Sequence, residues 1–201
     1  MSNDIILAGD MRKLALHPEI LEARRVPITV QLSPTGRCNL RCRFCTRGDS
    51  PSRSELDWST LERIVRMLSD MGTKGVEITG GGEPTMHSHL GSLIAEVVEE
   101  GMDCALVTNG TRLTRIPAGV LGAMDWIRVS LNAGPKTYKR VHGKDRYRSA
   151  LDGVYHMAEC ARVHKGVSII VDEKTDWKDI GRLFLDLDGA NLDYIRTARD
   201  G

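Results

Sequence analysis

The chain has 201 residues, 41% of them hydrophobic, and 28 Lys and Arg against 27 Asp and Glu leave a formal net charge of +1. That is apolar material for one sizeable core, and the near-neutral balance gives no electrostatic reason to expect nucleic acid or a membrane surface as a partner. No apolar run is long enough to span a bilayer, the first thirty residues lack the apolar core of a signal peptide, and five cysteines with three bunched together make no disulfide framework, so a reducing cytoplasm is the natural compartment.

Residues 11–25 read as a short helical segment kinked at Pro18, within an N-terminal unit 1–26 that precedes a core domain over 27–201. The alternating stretch 28–32 predicts a first strand, followed by a turn over 33–37 and a polar loop over 46–54. A helix is expected from about Ser59, with Ser59 and Glu62 at capping-box spacing and Leu61, Ile64, Val65 and Leu68 on one face, ending at Gly72. Residues 76–79 form a second strand, 80–84 a glycine-rich loop, and Leu90, Leu93, Ile94, Val97 and Val98 the apolar face of a second helix. The alternation continues with strands at 104–107, 126–131, 167–171 and 192–196. Between them lie a weak helix limited by Pro117 and Gly119, a longer one carrying Tyr147, Leu151, Val154, Tyr155 and Ala158, and one capped by Asp176 and bearing Trp177, Ile180, Leu183, Phe184 and Leu187. Strands alternating with helices argue for an α/β protein with a parallel sheet, either an open doubly wound sheet or a partial barrel, and in both the ligands sit at the carboxyl ends of the strands.

The unusual residues fall there. Cys38, Cys42 and Cys45, four and three residues apart, follow strand one; three thiols can complete a zinc site only with a fourth ligand from elsewhere, or can bind a metal group that keeps one position open. Gly80, Gly81 and Gly82 followed by Glu83 and Pro84 come after strand two. Such a run lets backbone carbonyls approach a ligand, and its carboxylate suits a cationic amine and repels phosphate. Asn109 follows strand three, and Ser130 and Asn132 at the end of strand four can hydrogen-bond sugar hydroxyls or simply close the strand. Residues 136–148 hold six basic side chains and one acidic; a solvated face is the ordinary explanation, an anion site involving Arg146 and Arg148 the sharper one. His87 and His89 suit a helix entry, and Cys104 and Cys160 suit the core.

Cys38-x-x-x-Cys42-x-x-Cys45 followed by Gly81-Gly82-Glu83-Pro84 resembles the radical S-adenosylmethionine superfamily, over residues 27 to about 196. Stretches 27–35 and 129–134 look similar to its branch of molybdenum-cofactor cyclases and peptide-modifying enzymes, although the cysteine-rich C-terminal extension of that branch does not follow. The resemblance implies a partial (β/α)6 barrel, an incomplete TIM-like barrel. It implies that Cys38, Cys42 and Cys45 hold a [4Fe-4S] cluster whose fourth iron takes the amine and carboxylate of S-adenosyl-L-methionine. Gly81, Gly82 and Glu83 would hold the amine, Phe44 would lie near the adenine, Asn109 would belong to the cofactor site, Ser130 and Asn132 would face the ribose, and Val171 would give the base an apolar contact. The implied reaction is reductive cleavage to a 5′-deoxyadenosyl radical that abstracts hydrogen from a small-molecule or peptide substrate, with flavodoxin or ferredoxin as electron donor and a protein partner able to close the barrel. An activase that places a glycyl radical on a partner protein and a non-catalytic metal-binding module are the competing expectations.

Overall fold

A computed structural model describes residues 26–46 and 52–199; the expected helix over 11–25 and part of the loop over 46–54 lie outside the described residues. Six strands form one sheet: β1 Thr29–Leu32, β2 Gly75–Ile78, β3 Asp103–Thr108, β4 Trp126–Ser130, β5 His164–Val171 and β6 Tyr194–Arg199. Every neighbouring pair is parallel and the spatial order is the chain order. Crossovers between parallel strands share one hand, so a sequential order places successive helices on the same face, whereas a doubly wound sheet needs a reversal in strand order. The sheet is open, and of the two architectures read from the sequence it is the partial barrel.

The helices are α1 Trp58–Met71, α2 Leu90–Glu99, α3 Ala118–Leu121, α4 Tyr138–His142, α5 Tyr147–Ala158 and α6 Trp177–Asp186, with short 3-10 turns at Pro84–Met86 and Leu113–Arg115. Alternation along the strands sorts the two faces. On β4, Ile127 and Val129 are fully buried in the core beneath the helices, while Trp126, Arg128 and Ser130 are only half-buried on the concave side. Leu61 and Val65 of α1, Leu93, Ile94 and Val97 of α2, and Val154 and Met157 of α5 complete that core.

Several boundaries differ from expectation, each for a local reason. Asp57, not Ser59, caps α1: its carboxylate accepts the Thr60 N–H at 2.8 Å, and the Ser59 hydroxyl donates to the same oxygen at 2.9 Å. The weak helix around Pro117 is reduced to a 3-10 turn and the four residues of α3. β5 starts earlier than residue 167 because the Lys165 stem is buried and its ammonium donates to the Cys160 carbonyl at 2.9 Å. α4 lies inside the basic run, where Tyr138, Val141 and His142 turn inward. Arg148 is exposed and pairs with Asp152 at 3.1 Å, which fits the solvated-face explanation for that end of the run. His87 and His89 do sit at the entry to α2, and Cys104 and Cys160 are buried.

Candidate active site

The cysteine loop leaves β1 and is tied down at three places. The Arg41 and Arg43 N–H groups donate to the His142 and Val141 carbonyls, both at 3.0 Å, which hangs the loop on the end of α4. Asn39 donates through Nδ2 to the Thr111 hydroxyl at 2.7 Å and accepts from Asn109 Nδ2 at 2.8 Å, which ties the loop to the end of β3. The Glu83 N–H donates to the Arg37 carbonyl at 2.7 Å, joining the loop to the glycine run. That join requires a glycine: a Cβ at Gly82 would lie 2.3 Å from the Arg37 oxygen and 2.5 Å from the Thr35 oxygen.

Within this frame Cys38 and Cys42 are partly buried and Cys45 is exposed. Burial, reinforced by the Cys38 and Cys45 sulfurs and by the Glu83 carboxylate, pushes the Cys42 thiol up to about 12. Burial is also the main reason the Cys38 thiol is raised, with Glu83 and Cys45 adding to it. The charges of these groups therefore act on one another. A cation bound among them would reverse the balance and draw both thiols into the thiolate form. Among the described residues, no three His, Cys, Asp or Glu side chains converge closely enough to hold one metal ion.

Glu83 is 3% exposed. Its Oε1 accepts the Thr85 N–H at 3.0 Å, the Thr85 hydroxyl at 2.6 Å and the Thr108 hydroxyl at 2.5 Å; its Oε2 accepts the Asn109 N–H at 2.7 Å. Oε1 is saturated, while Oε2 retains acceptor capacity. The Gly81 N–H donates to the Ser33 hydroxyl at 3.0 Å. Asn109 is a brace: its Oδ1 accepts from the Thr111 N–H and hydroxyl and its Nδ2 reaches Asn39.

The other expected residues divide. Asn132 sits at φ 55° directly after β4, 5% exposed, and its Oδ1 is buried with no hydrogen-bond partner. Asn132 and Phe44 line one cleft together with Ile170, Arg140 and Asp172. Ser130 lies on the concave face, its Oγ 3.5 Å from that of Ser168. Val171 is on the strand face of Val167 and Ile169 and packs against the core, so the β5 side chain that shares the cleft with Phe44 is Ile170.

Two features were not anticipated. The His142 Nε2 is 2.8 Å from the Leu131 carbonyl, which only accepts; this puts the ring proton on Nε2 and turns the bare Nδ1 toward the Cys42 sulfur at 3.0 Å. Burial lowers this imidazole to about 4, and the ring stacks on Tyr138 at 4.1 Å between centroids. Arg43 also pairs with Asp172 at the end of β5, closing one side of the Phe44 cleft. Burial works against the Asp172 charge, yet the Arg43 and Thr175 side chains and the Lys174 N–H hold its carboxyl below the usual range.

The family model described as the radical SAM superfamily matches residues 32–186. The chain belongs to that superfamily. The probable GTP 3′,8-cyclase of Thermococcus kodakarensis is 34% identical over 133 residues, 64% of this chain and 43% of that protein. The probable GTP 3′,8-cyclase of Methanopyrus kandleri is 35% identical over 178 residues, 83% of this chain and 56% of that protein. The chain thus spans about half the length of the curated relatives it matches. Among solved structures, Streptococcus suis SuiB bound to its precursor peptide SuiA superposes with a TM-score of 0.75 at 19% identity, over 95% of this chain and 43% of that one. SuiB bound to S-adenosylmethionine gives 0.73 at 20% identity, over 96% and 45%. This radical SAM protein is therefore an enzyme, and its cofactors are a [4Fe-4S] cluster and S-adenosylmethionine. Its own residues fit that pair: three thiols on one loop, a glycine run in which a Cβ at Gly80 or Gly82 would clash with Ser33 or with the Thr35 and Arg37 carbonyls, and an orphaned Asn132 oxygen in the cleft that Phe44 lines. No helix among the described residues is long and apolar enough to cross a membrane.

Proposed function

We propose that this chain is the radical-generating core, residues 27–201, of an enzyme that removes a hydrogen atom from a small-molecule or peptide substrate. The observation that carries the reading is the bond from the Glu83 N–H to the Arg37 carbonyl, which sets the cysteine tripod and the glycine run side by side. Cys38, Cys42 and Cys45 hold the cluster. The Gly81 and Gly82 carbonyls take the amine of S-adenosylmethionine with the free capacity of Glu83 Oε2, and Asn109 fixes both loops from behind. Asn132 and Ser130 meet the ribose, while Phe44 meets the adenine, with Ile170 rather than Val171 as its apolar partner on β5. When bound, the cofactor pair supplies a one-electron reductive cleavage and the carbon radical that results from it.

The protein's part is orientation and exclusion of water. The Arg43–Asp172 pair walls the Phe44 cleft, and the Asn39–Asn109–Thr111 network holds the cysteine loop in one place. Flavodoxin or ferredoxin delivers the electron to the side where Cys45 is exposed. A protein partner closing the barrel beside β6 is supported by the exposed Trp177, Phe184 and Leu185 of α6 and Ile195 of β6. The names of the cyclases and of the SuiB–SuiA complex make a nucleotide and a peptide the two substrate types to try first.

Electron paramagnetic resonance tests the reading. The reduced, anaerobically reconstituted chain should give a [4Fe-4S]+ spectrum that changes when S-adenosylmethionine is added. A spectrum that the sulfonium leaves untouched overturns the proposed site.

A further inference from the structure

Apart from Ser130, already placed at the ribose, the concave face of the sheet carries side chains that the cofactor site does not use. Arg128 on β4, Gly166 on β5 and Tyr194 on β6 are register partners in one row, and Ser130, Ser168 and Arg196 form the next row toward the carboxyl ends. Gly166 permits the arrangement: a Cβ there would lie 2.3 Å from Tyr194 Cε2 and Cζ, so the phenol ring lies flat across β5 toward β4. The Arg128 guanidinium stands over the Trp126 ring, 5.3 Å from its centroid, and beside the Tyr194 hydroxyl. Arg196 lies one row toward the carboxyl ends on the same face, and its charge acts on the Tyr194 hydroxyl.

Among the described residues, neither Arg128 nor Arg196 has a carboxylate within ion-pair distance. Glu77 on β2 also acts on Tyr194; its Oε1 accepts from the neutral Gln31 Nε2 at 3.1 Å, so it keeps its negative charge but lies outside ion-pair distance of both guanidiniums. Arg128 is half-buried and Arg196 exposed on this face, and their two positive charges outnumber the one carboxylate near them, so an anion lying between them would balance the excess. The Tyr194 oxygen can accept from Arg128, which leaves its O–H free to donate to that anion.

We propose that Arg128, Arg196 and Tyr194 form an anion-holding subsite that grips a carboxylate or phosphate of the substrate. The proposal rests on the cofactor reading above, because that reading puts the reacting carbon at the Ser130 and Asn132 rim. Arg128 is two residues from Ser130 on the same face, roughly 6.6–6.8 Å along the strand. A substrate anchored there presents a carbon a few bonds from its anionic group to the rim. The substrate is therefore an anionic small molecule or the acidic end of a peptide.

The test uses the full chain with 15N-labelled arginine, its Nε–H signals followed while inorganic phosphate or succinate is titrated at constant chloride-balanced ionic strength. Saturable shifts of the Arg128 and Arg196 signals are expected, and whichever anion binds tighter identifies the source. Arg128→Gln should weaken that binding about tenfold or more, the scale of one charge-assisted contact. Gly166→Ala should weaken it with both guanidiniums still present. Arg148→Gln, on an exposed helix face and paired with Asp152, should leave it unchanged. Absence of a saturable shift overturns the proposal, including the case in which sedimentation shows a second copy covering the face. A shift of equal affinity in Arg128→Gln overturns it as well. A chain that cleaves S-adenosylmethionine but binds neither anion places the failure here; one that binds phosphate through Arg128 but never cleaves the cofactor places it in the cofactor reading.

Discussion

Replacing Glu83 by Gln keeps the shape of the side chain and removes its charge, which isolates the four hydrogen bonds it accepts from Thr85, Thr108 and Asn109. An amide has one acceptor oxygen. If that oxygen takes the place of Oε1, the new NH2 faces the Asn109 N–H, so a charge-assisted bond is lost and two donors are opposed inside a residue that is 3% exposed. The threonine hydroxyls can rotate but the Asn109 N–H cannot. Losing one bond to a charged group and leaving one buried donor unmet costs about 2–4 kcal/mol. For a chain of this size each kcal/mol moves the melting temperature by about 2–4 °C, so circular dichroism of the metal-free protein should show Glu83→Gln melting roughly 4–16 °C below the parent. A melt shifted by less than about 2 °C would refute the idea that this carboxylate is a structural post as well as part of the amine site.

Alanine at Cys38, Cys42 or Cys45 singly should reduce iron after anaerobic reconstitution from about four per chain to a small fraction of that, measured by iron and sulfide assay, while Cys104→Ala should leave it intact. Asn132→Gly keeps the left-handed backbone and deletes the orphaned amide; we expect S-adenosylmethionine to bind about tenfold more weakly by equilibrium dialysis, at little change in melting temperature. Asp179 is fully buried and accepts from the Lys136 N–H and from the Thr137 N–H and hydroxyl, and these bonds hold its carboxyl below the usual range although burial opposes them. Its contribution is therefore complete above about pH 3.9 and is lost as pH falls through the lower folded value; Asp179→Asn should be less stable at pH 7 and show a flatter acid limb in urea melts.

The strand alternation, the helix faces and the two loops that carry the chemistry were legible because each is a local pattern. The bonds that position those loops were not. Asn39 meets Asn109 and Thr111 across some seventy residues of sequence, and nothing in a short window marks an asparagine as a brace. Helix α4 was hidden because its inward residues Tyr138, Val141 and His142 are interleaved with lysines and arginines that read as a charge run. Asp57 displaced Ser59 as the cap because both are good capping residues, and only the chain direction at the helix entry decides between them. Strand parity, applied from the buried Val167 and Ile169, puts Val171 on the helix side and Ile170 toward the cleft.

The central claim is that three thiols and the adjoining glycine–glutamate loop act as one device on a sulfonium. It is tested most directly by adding dithionite to the reconstituted chain with S-adenosylmethionine under anaerobic conditions and quantifying 5′-deoxyadenosine and methionine by mass spectrometry. The account predicts both products in equal amounts, neither without reductant and neither in Cys42→Ala. Tightly bound zinc in place of iron, with S-adenosylmethionine recovered intact, would contradict it.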